Sequence, residues 1–470
     1  MYDHGTTILG GAYEGVTRAG RDARPVFSLL QGQQVLGQGA QDILDQVPVR
    51  VKAANPVTNG SAIKFGAAVA LDGEVLVIGV PGEDSETDPM GFDTGSAYVF
   101  EREAGSWVEK QKLASPSEAP FENFGTAVGV ALGDEDVDYV IVGATGGAGA
   151  AYVFKRMSGG SWEFDATLAQ DEPQAGDLFG ASVAIDYFEP NNSQNGDKVF
   201  IAAVGAPQNR SKDGSVSIFQ AGSTTWSGPQ EFFGENGDLM GVALAMAADT
   251  VVAGSEGLDG TGFNGGGAFT ILAANQQPSG VYKYNLASIM QPSAPETGVG
   301  QGLSVAAEHK PALLVSAAAI GFPLSDKVAL NAGLVLIFGL GSVSSPYTES
   351  AVIEPTGLGQ GASFGTSVAL SNQILAVGAP GVGTDGAVFL YDMGATIETW
   401  ILAGALTIPD LPPVGNCRGG EAVALEGLTA AVGCPSFNGY ENEGTFVYVG
   451  PIFSDGFESG DTSAWSATVP

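Results

Sequence analysis

Short apolar runs alternate along most of the chain with clusters of Gly, Pro, Asp and Asn, and the runs are rich in β-branched and aromatic residues. Runs of this length, bounded by turn formers, read as strands. They recur in a fixed order. The phrase Phe65-Gly66-Ala67-Ala68-Val69-Ala70-Leu71 returns as Phe124-Gly125-Thr126-Ala127-Val128, Phe179-Gly180-Ala181-Ser182-Val183 and Phe364-Gly365-Thr366-Ser367-Val368. Looser copies begin at Met240-Gly241, Gln301-Gly302 and Gly419-Gly420, and successive copies start 55 to 63 residues apart. Each unit then has an apolar run ending in a turn, as in Val77-Ile78-Gly79-Val80-Pro81, Val204-Gly205-Ala206-Pro207 and Val377-Gly378-Ala379-Pro380. An alternating run follows, such as Ala97-Tyr98-Val99-Phe100 or Val388-Phe389-Leu390-Tyr391, and a fourth often opens on tryptophan, at Trp107, Trp162, Trp226 and Trp400.

Four strands in a unit of about 59 residues are the pattern of a propeller blade. The seventh unit stops after its third strand, near Val449, while Val47-Pro48-Val49-Arg50-Val51-Lys52-Ala53 precedes the first unit, where an outer strand of the last blade would sit. Pairing there would satisfy an open sheet edge. The expected fold is all-β, a seven-bladed β-propeller of four-stranded blades over residues 46–450, closed by an N-terminal strand. Residues 1–45 form an N-terminal extension and residues 451–470 a C-terminal tail. A closed ring offers no place to the strand-like runs at 7–12 and 25–30, or to the tail aromatics Phe453, Phe457 and Trp465.

The Phe-Gly and Gly-Ala-Pro phrasing over residues 46–450 resembles the FG-GAP repeats of the integrin alpha-subunit propeller and, more closely, of bacterial secreted proteins. The resemblance implies an extracellular propeller used for binding and does not name a ligand. The tail Asp455-Gly456-Phe457-Glu458-Ser459-Gly460 is similar to short tails of bacterial exported proteins. In the repeat register Cys417 falls just before the first strand of the last blade and Cys434 at the end of its second, neighbouring positions in an antiparallel pair. A bridge there would staple the closing blade and fit an oxidising compartment. Two free buried thiols are the alternative.

Composition narrows the function. The chain has 52 Asp+Glu against 18 Lys+Arg, a formal charge of −34, and 70 glycines in 470 residues. A surface of that sign repels phosphate, so nucleic acid is not an expected partner. A hydrophobic fraction of 44% with only 15% charged residues suits a packed core rather than charge-driven disorder. Glycine does not fall on every third residue, as collagen would need, and long Glu/Lys heptads are missing. The first residues lack a basic segment followed by an apolar run, so a cleavable export signal is not expected there. No run of 18 apolar residues occurs, so membrane insertion is not expected either.

Candidate chemistry is sparse. Integrin-like blades bind calcium between the first and second strands, and Asp134-Glu135-Asp136-Val137-Asp138 offers Asp134, Asp136 and Asp138 at alternating positions around one hard cation. The Asp-Gly step and later aspartate of the family pattern are missing, and a solvated acidic turn is the rival reading. A longer loop, from Asp186 through Glu189 and Asn191 to Asp197, matches no known ligand order. Glu83, Asp84, Glu86, Asp88 and Asp93 crowd the loop between second and third strands of the first full blade, a candidate partner-face loop or simply a soluble one. With only His4 and His309, a His-rich metal site is impossible and any Ser-His-Asp arrangement must use one of the two. Gly361-Ala362-Ser363-Phe364-Gly365 has the letters of a nucleophile elbow but precedes a strand. Gly357-Leu358-Gly359-Gln360-Gly361-Ala362 fails as a dinucleotide loop for the same reason. Asn59, Asn191 and Asn209 begin glycosylation sequons by letter.

The expected function is therefore an extracellular, non-enzymatic binding or adhesion propeller with calcium as a candidate stabiliser and a protein or glycan at the cell surface as partner. The alternative is a structural subunit of an extracellular filament or surface layer, assembled from copies of itself through the terminal extensions.

Overall fold

A computed structural model describes residues 38–449, apart from 58–62, 86–91, 134–136, 190–197, 223, 236, 257–267, 277–281, 291–292, 294–303, 311–314, 340–347, 407, 409–416 and 436–443. The described strands form four-stranded antiparallel sheets that are the blades of a β-propeller. The first blade runs outward through Ala68–Asp72, Val75–Val80, Ser96–Glu103 and Ser106–Ala114. Second strands such as Val75–Val80 and Ile374–Ala379 are buried along their whole length because neighbouring blades cover both faces. Outer strands alternate, as Ser106–Ala114 does, with one side facing solvent.

Seven such sheets are present among the described residues. Their innermost strands follow in order: Ala68–Asp72, Phe124–Leu132, Ser182–Phe188, Leu244–Ala247, Ser304–Lys310, Val368–Ser371 and Val423–Glu426. Each lies against the next, and the last lies against the first. Val49–Val51 pairs with Gly444–Val449, with Val49 opposite Val447. A register shift between third and fourth strands recurs in the first six sheets. Bulges there add local twist and let the outer strand splay from its neighbour.

The repeat phrase is the joint between blades. Gly79 sits in the second strand of the first blade, and a Cβ there would lie 2.1 Å from the carbonyl oxygen of Gly125, in the second blade's Phe-Gly pair. Gly125 itself has φ +95, a conformation that side-chain-bearing residues rarely adopt. The same contact joins Gly143 to Gly180, Gly205 to Gly241, Gly321 to Gly365 and Gly378 to Gly420, and Gly433 to Gly66 brings the last sheet onto the first. The phenylalanine of the pair is buried in its own blade, as Phe124 is against Tyr152 and Phe154. A repeat serine completes the joint in places: Ser182 Oγ donates to the Gly241 carbonyl at 2.7 Å and Ser367 Oγ to that of Gly420 at 2.8 Å.

Within the stretch expected as an extension, Gln38–Leu44 forms a helix. Ala40 and Ile43 are fully buried in the core shared by the sixth and seventh sheets. The Ala40 N–H donates to Asp392 Oδ1 at 3.0 Å, so a carboxylate from the sixth sheet satisfies a donor in the helix's first turn.

Candidate functional site

The acidic loop after Val75–Val80 is only partly a surface feature. Glu83 does not reach outward: it is fully buried. Its carboxylate accepts from Tyr98 Oη at 2.9 Å, the Val57 N–H at 2.8 Å and Ser96 Oγ, and it meets Lys112 Nζ at 3.1 Å. A buried charge with this many partners ties the loop to the blade rather than offering a ligand site. The second blade repeats the device, with Glu122 accepting from Tyr152 Oη and Ser117 Oγ, both at 2.6 Å. Asp84 accepts the Asp93 N–H at 3.2 Å, which closes the base of the loop. Glu86 and Asp88 lie outside the described residues.

Of the candidate calcium ligands, Asp134 and Asp136 also lie outside the described residues. Asp138 begins the strand Asp138–Ala144 and pairs with Arg156 Nη1 at 3.2 Å. Burial pushes its carboxyl up, and Arg156 opposes the shift. Arg156 Nη2 also reaches Glu101 of the first blade at 2.7 Å. Among the described residues no group of three His, Cys, Asp or Glu is placed to hold a metal ion. Asp186 accepts the Ala248 N–H at 2.9 Å, linking the third sheet to a turn of the fourth, and burial raises its pKa to about 6.

Cys417 and Cys434 form a disulfide with Cα atoms 5.1 Å apart, and both are fully buried. Ser363 sits in the turn before Val368–Ser371, so a strand, not a helix, follows it. Asn209 is buried, and its amide donates to Ser215 Oγ at 2.9 Å, which removes it as an accessible sequon. His309 lies in the strand Ser304–Lys310, and His4 is outside the described residues.

Sequence reasoning missed a cleft of about 150 Å³ between the outer parts of the third and fourth sheets. Its lining includes Ile218, Phe219, Gln220, Ser227, Tyr282 and Tyr284. Two glutamines hold the fourth sheet's outer strand, Tyr282–Met290, against the third sheet. Gln230 donates to the Tyr284 carbonyl at 2.6 Å and accepts the Tyr284 N–H at 2.9 Å, and Gln220 accepts the Tyr282 N–H at 2.9 Å. Both tyrosine hydroxyls are buried without a hydrogen-bond partner. The only signal in the sequence was the alternation Tyr282-Lys283-Tyr284 in a unit whose fourth strand has no tryptophan at its start.

Residues 60–100 match the model of the FG-GAP repeat family. The chain carries an FG-GAP repeat built into a β-propeller. The matched residues span the Phe65-Gly66 pair, Gly79 of the joint and the third strand up to Phe100, so the match covers the segment whose geometry repeats from blade to blade. No curated protein matches the chain. No helix among the described residues of the FG-GAP propeller is long and apolar enough to cross a membrane.

Proposed function

We propose that this FG-GAP propeller is a closed seven-bladed ring of the integrin alpha-like, bacterial secreted type that works outside the cell as a non-enzymatic binding or adhesion module. The carrying observation is the joint: the repeated residues are used where blades touch, so the loops between strands are left free to differ. Those loops do differ, in length and in charge, and a rigid scaffold presenting variable loops is the usual architecture of a recognition surface. Seven ordered inner strands, the contact of Gly433 with Gly66 and the pairing of Val49–Val51 with Gly444–Val449 support closure by the N-terminal strand. The Cys417–Cys434 bridge supports an oxidising environment. The test is binding of the purified, labelled chain to arrays of surface glycans and extracellular proteins. Saturable binding supports the reading, and a chain that binds nothing but assembles into regular polymers sinks it in favour of the structural subunit.

Calcium belongs to the proposal as a stabiliser near Asp134 and Asp136. Asp138 could join only by giving up or sharing Arg156. Excess calcium is expected to raise the melting temperature above that in chelator. Superimposable melting curves would remove calcium from the account.

A further inference from the structure

We infer that Asp392 makes the seating of the helix Gln38–Leu44 proton-dependent: the helix is held on the core shared by the sixth and seventh sheets while the carboxyl carries a proton, and it loosens when the carboxyl ionises. Asp392 lies in the third strand of the sixth sheet, Ala387–Met393, where successive side chains point to opposite faces. Val388 and Leu390 belong to the core that holds Ala40 and Ile43, whereas Phe389 and Tyr391 belong to the core on the other face. Asp392 therefore continues an apolar row toward the helix. It is buried: Oδ1 accepts the Ala40 N–H at 3.0 Å, and Oδ2 has no hydrogen-bond partner. The helix sits close, since a Cβ on Gly39 would lie 2.8 Å from Ile374 Cδ1 and one on Gly404 2.8 Å from Leu44 Cδ1.

The first sheet has a carboxylate at the same place. Counted from the joint glycines, with Gly79 opposite Ala97 and Gly378 opposite Val388, Asp392 corresponds to Glu101. Glu101 receives Arg156 Nη2 from the second sheet at 2.7 Å. Asp392 meets the helix instead, whose charged side chain is the carboxylate of Asp42. The strands that flank Asp392, Ile374–Ala379 and Trp400–Leu406, carry no charged residue. Tyr448 of the seventh sheet shares the core, and burial pushes its phenol up, so it stays neutral. An ionised Asp392 would thus bury a charge without a counter-ion, which costs more than burying a neutral hydroxyl. A proton on Oδ2 removes that charge and leaves Oδ1 as the acceptor for Ala40. Burial accordingly pushes the carboxyl above its ordinary 3.8; the Ala40 hydrogen bond opposes the shift and Asp42 adds to it. When the helix unseats, Asp392 returns to water and to its ordinary value, so seating is strongest with the proton on and weakens as pH rises through the raised value.

The experiment follows hydrogen exchange in the full chain between about pH 4.5 and about pH 7.5, corrected for the intrinsic pH dependence of exchange. It reads the amides of Gln38–Leu44, with those of Val75–Val80 as an internal reference. In the parent, protection of the helix is expected to fall across this range while the reference holds. In Asp392→Asn, whose amide oxygen still accepts from Ala40 but never ionises, the fall is expected to disappear. Asp42→Asn is expected to move the fall to lower pH, and it tests the same electrostatics from the helix side should Asp392→Asn fail to fold. Helix protection that is flat with pH in the parent, that falls equally in Asp392→Asn, that keeps its pH course in Asp42→Asn, or that falls only together with the reference strand overturns the inference.

Discussion

At the residue scale, the absence of a side chain carries much of the fold. A Cβ on Gly378 would fall 2.0 Å from the Gly420 carbonyl oxygen, a backbone atom that cannot move aside without opening the joint. Gly378→Ala is therefore expected to destabilise the protein by more than about 3 kcal/mol, at the severe end for single substitutions. Gly357→Ala, at φ +80 but with nothing near its Cβ, is expected to cost only about 1 kcal/mol. Denaturant titration of the two variants checks the contrast. Asp186 makes a pH-dependent prediction. Its folded pKa of about 6 lies above the ordinary 3.8, so between those values the folded protein holds the proton more tightly than the unfolded chain. The contribution of this group to stability thus falls as pH rises from about 4 to 6 and stays low above. Relative to the parent, Asp186→Asn is expected to gain about 2 kcal/mol in stability between pH 4 and pH 7. Any constant cost of the lost acceptor drops out of that slope, and a flat difference across the window would refute the assignment.

At the element scale, the last sheet is assembled from distant parts of the chain. It takes its outer strand from Val49–Val51, is covered by the helix Gln38–Leu44, and has the segment before its first strand tied to the end of its second by Cys417–Cys434. The disulfide closes a loop of sequence separation 17. Chain-entropy arithmetic for a loop of that size gives about 3 kcal/mol of stabilisation. Replacing both cysteines with serine is expected to lower the unfolding free energy by about 2–4 kcal/mol, measured by urea titration at fixed pH. A double variant as stable as the parent would mean that the bridge is incidental. The helix could not be anticipated, because its seven residues have no capping signal of their own and its first-turn partner, Asp392, lies 352 positions away.

At the scale of the whole molecule, closure and charge act together. A net charge of −34 opposes compaction, so the propeller depends on the joints between its blades. Removing residues 1–35 spares the helix and Val49–Val51 and is expected to leave the melting temperature unchanged. Removing residues 1–53 unpairs the edge of Gly444–Val449 and uncovers the site of Ala40 and Ile43, and is expected to give a less stable, aggregating protein. Circular dichroism and light scattering on the two truncations test this. If the 1–35 deletion instead dissolves an existing oligomer, the structural-subunit reading gains over the binding module.

The blades were legible in the chain because each joint imposes the same demand. A glycine must accept a neighbouring backbone at Gly79, Gly143, Gly205, Gly321, Gly378 and Gly433, and a second glycine turns at positive φ at Gly66, Gly125, Gly180, Gly241, Gly365 and Gly420, so the pattern returns about every 59 residues. The pairing of Cys417 with Cys434 was readable from the same register, since Cys417 precedes the first strand of the last sheet and Cys434 ends its second. The fate of the acidic residues was not. Glu83 read as part of an exposed partner-face loop and Asp138 as a calcium ligand, yet Tyr98, Lys112 and Arg156 take them up from other strands. The cleft at Tyr282 and Tyr284 depends on Gln220 and Gln230 from the preceding unit, 62 and 54 residues earlier. Strand order and turn chemistry depend on near neighbours and a repeated backbone constraint, so the sequence alone carries them. Which carboxylate is buried, and where two blades leave a gap, depends on side chains that meet only after the ring has formed.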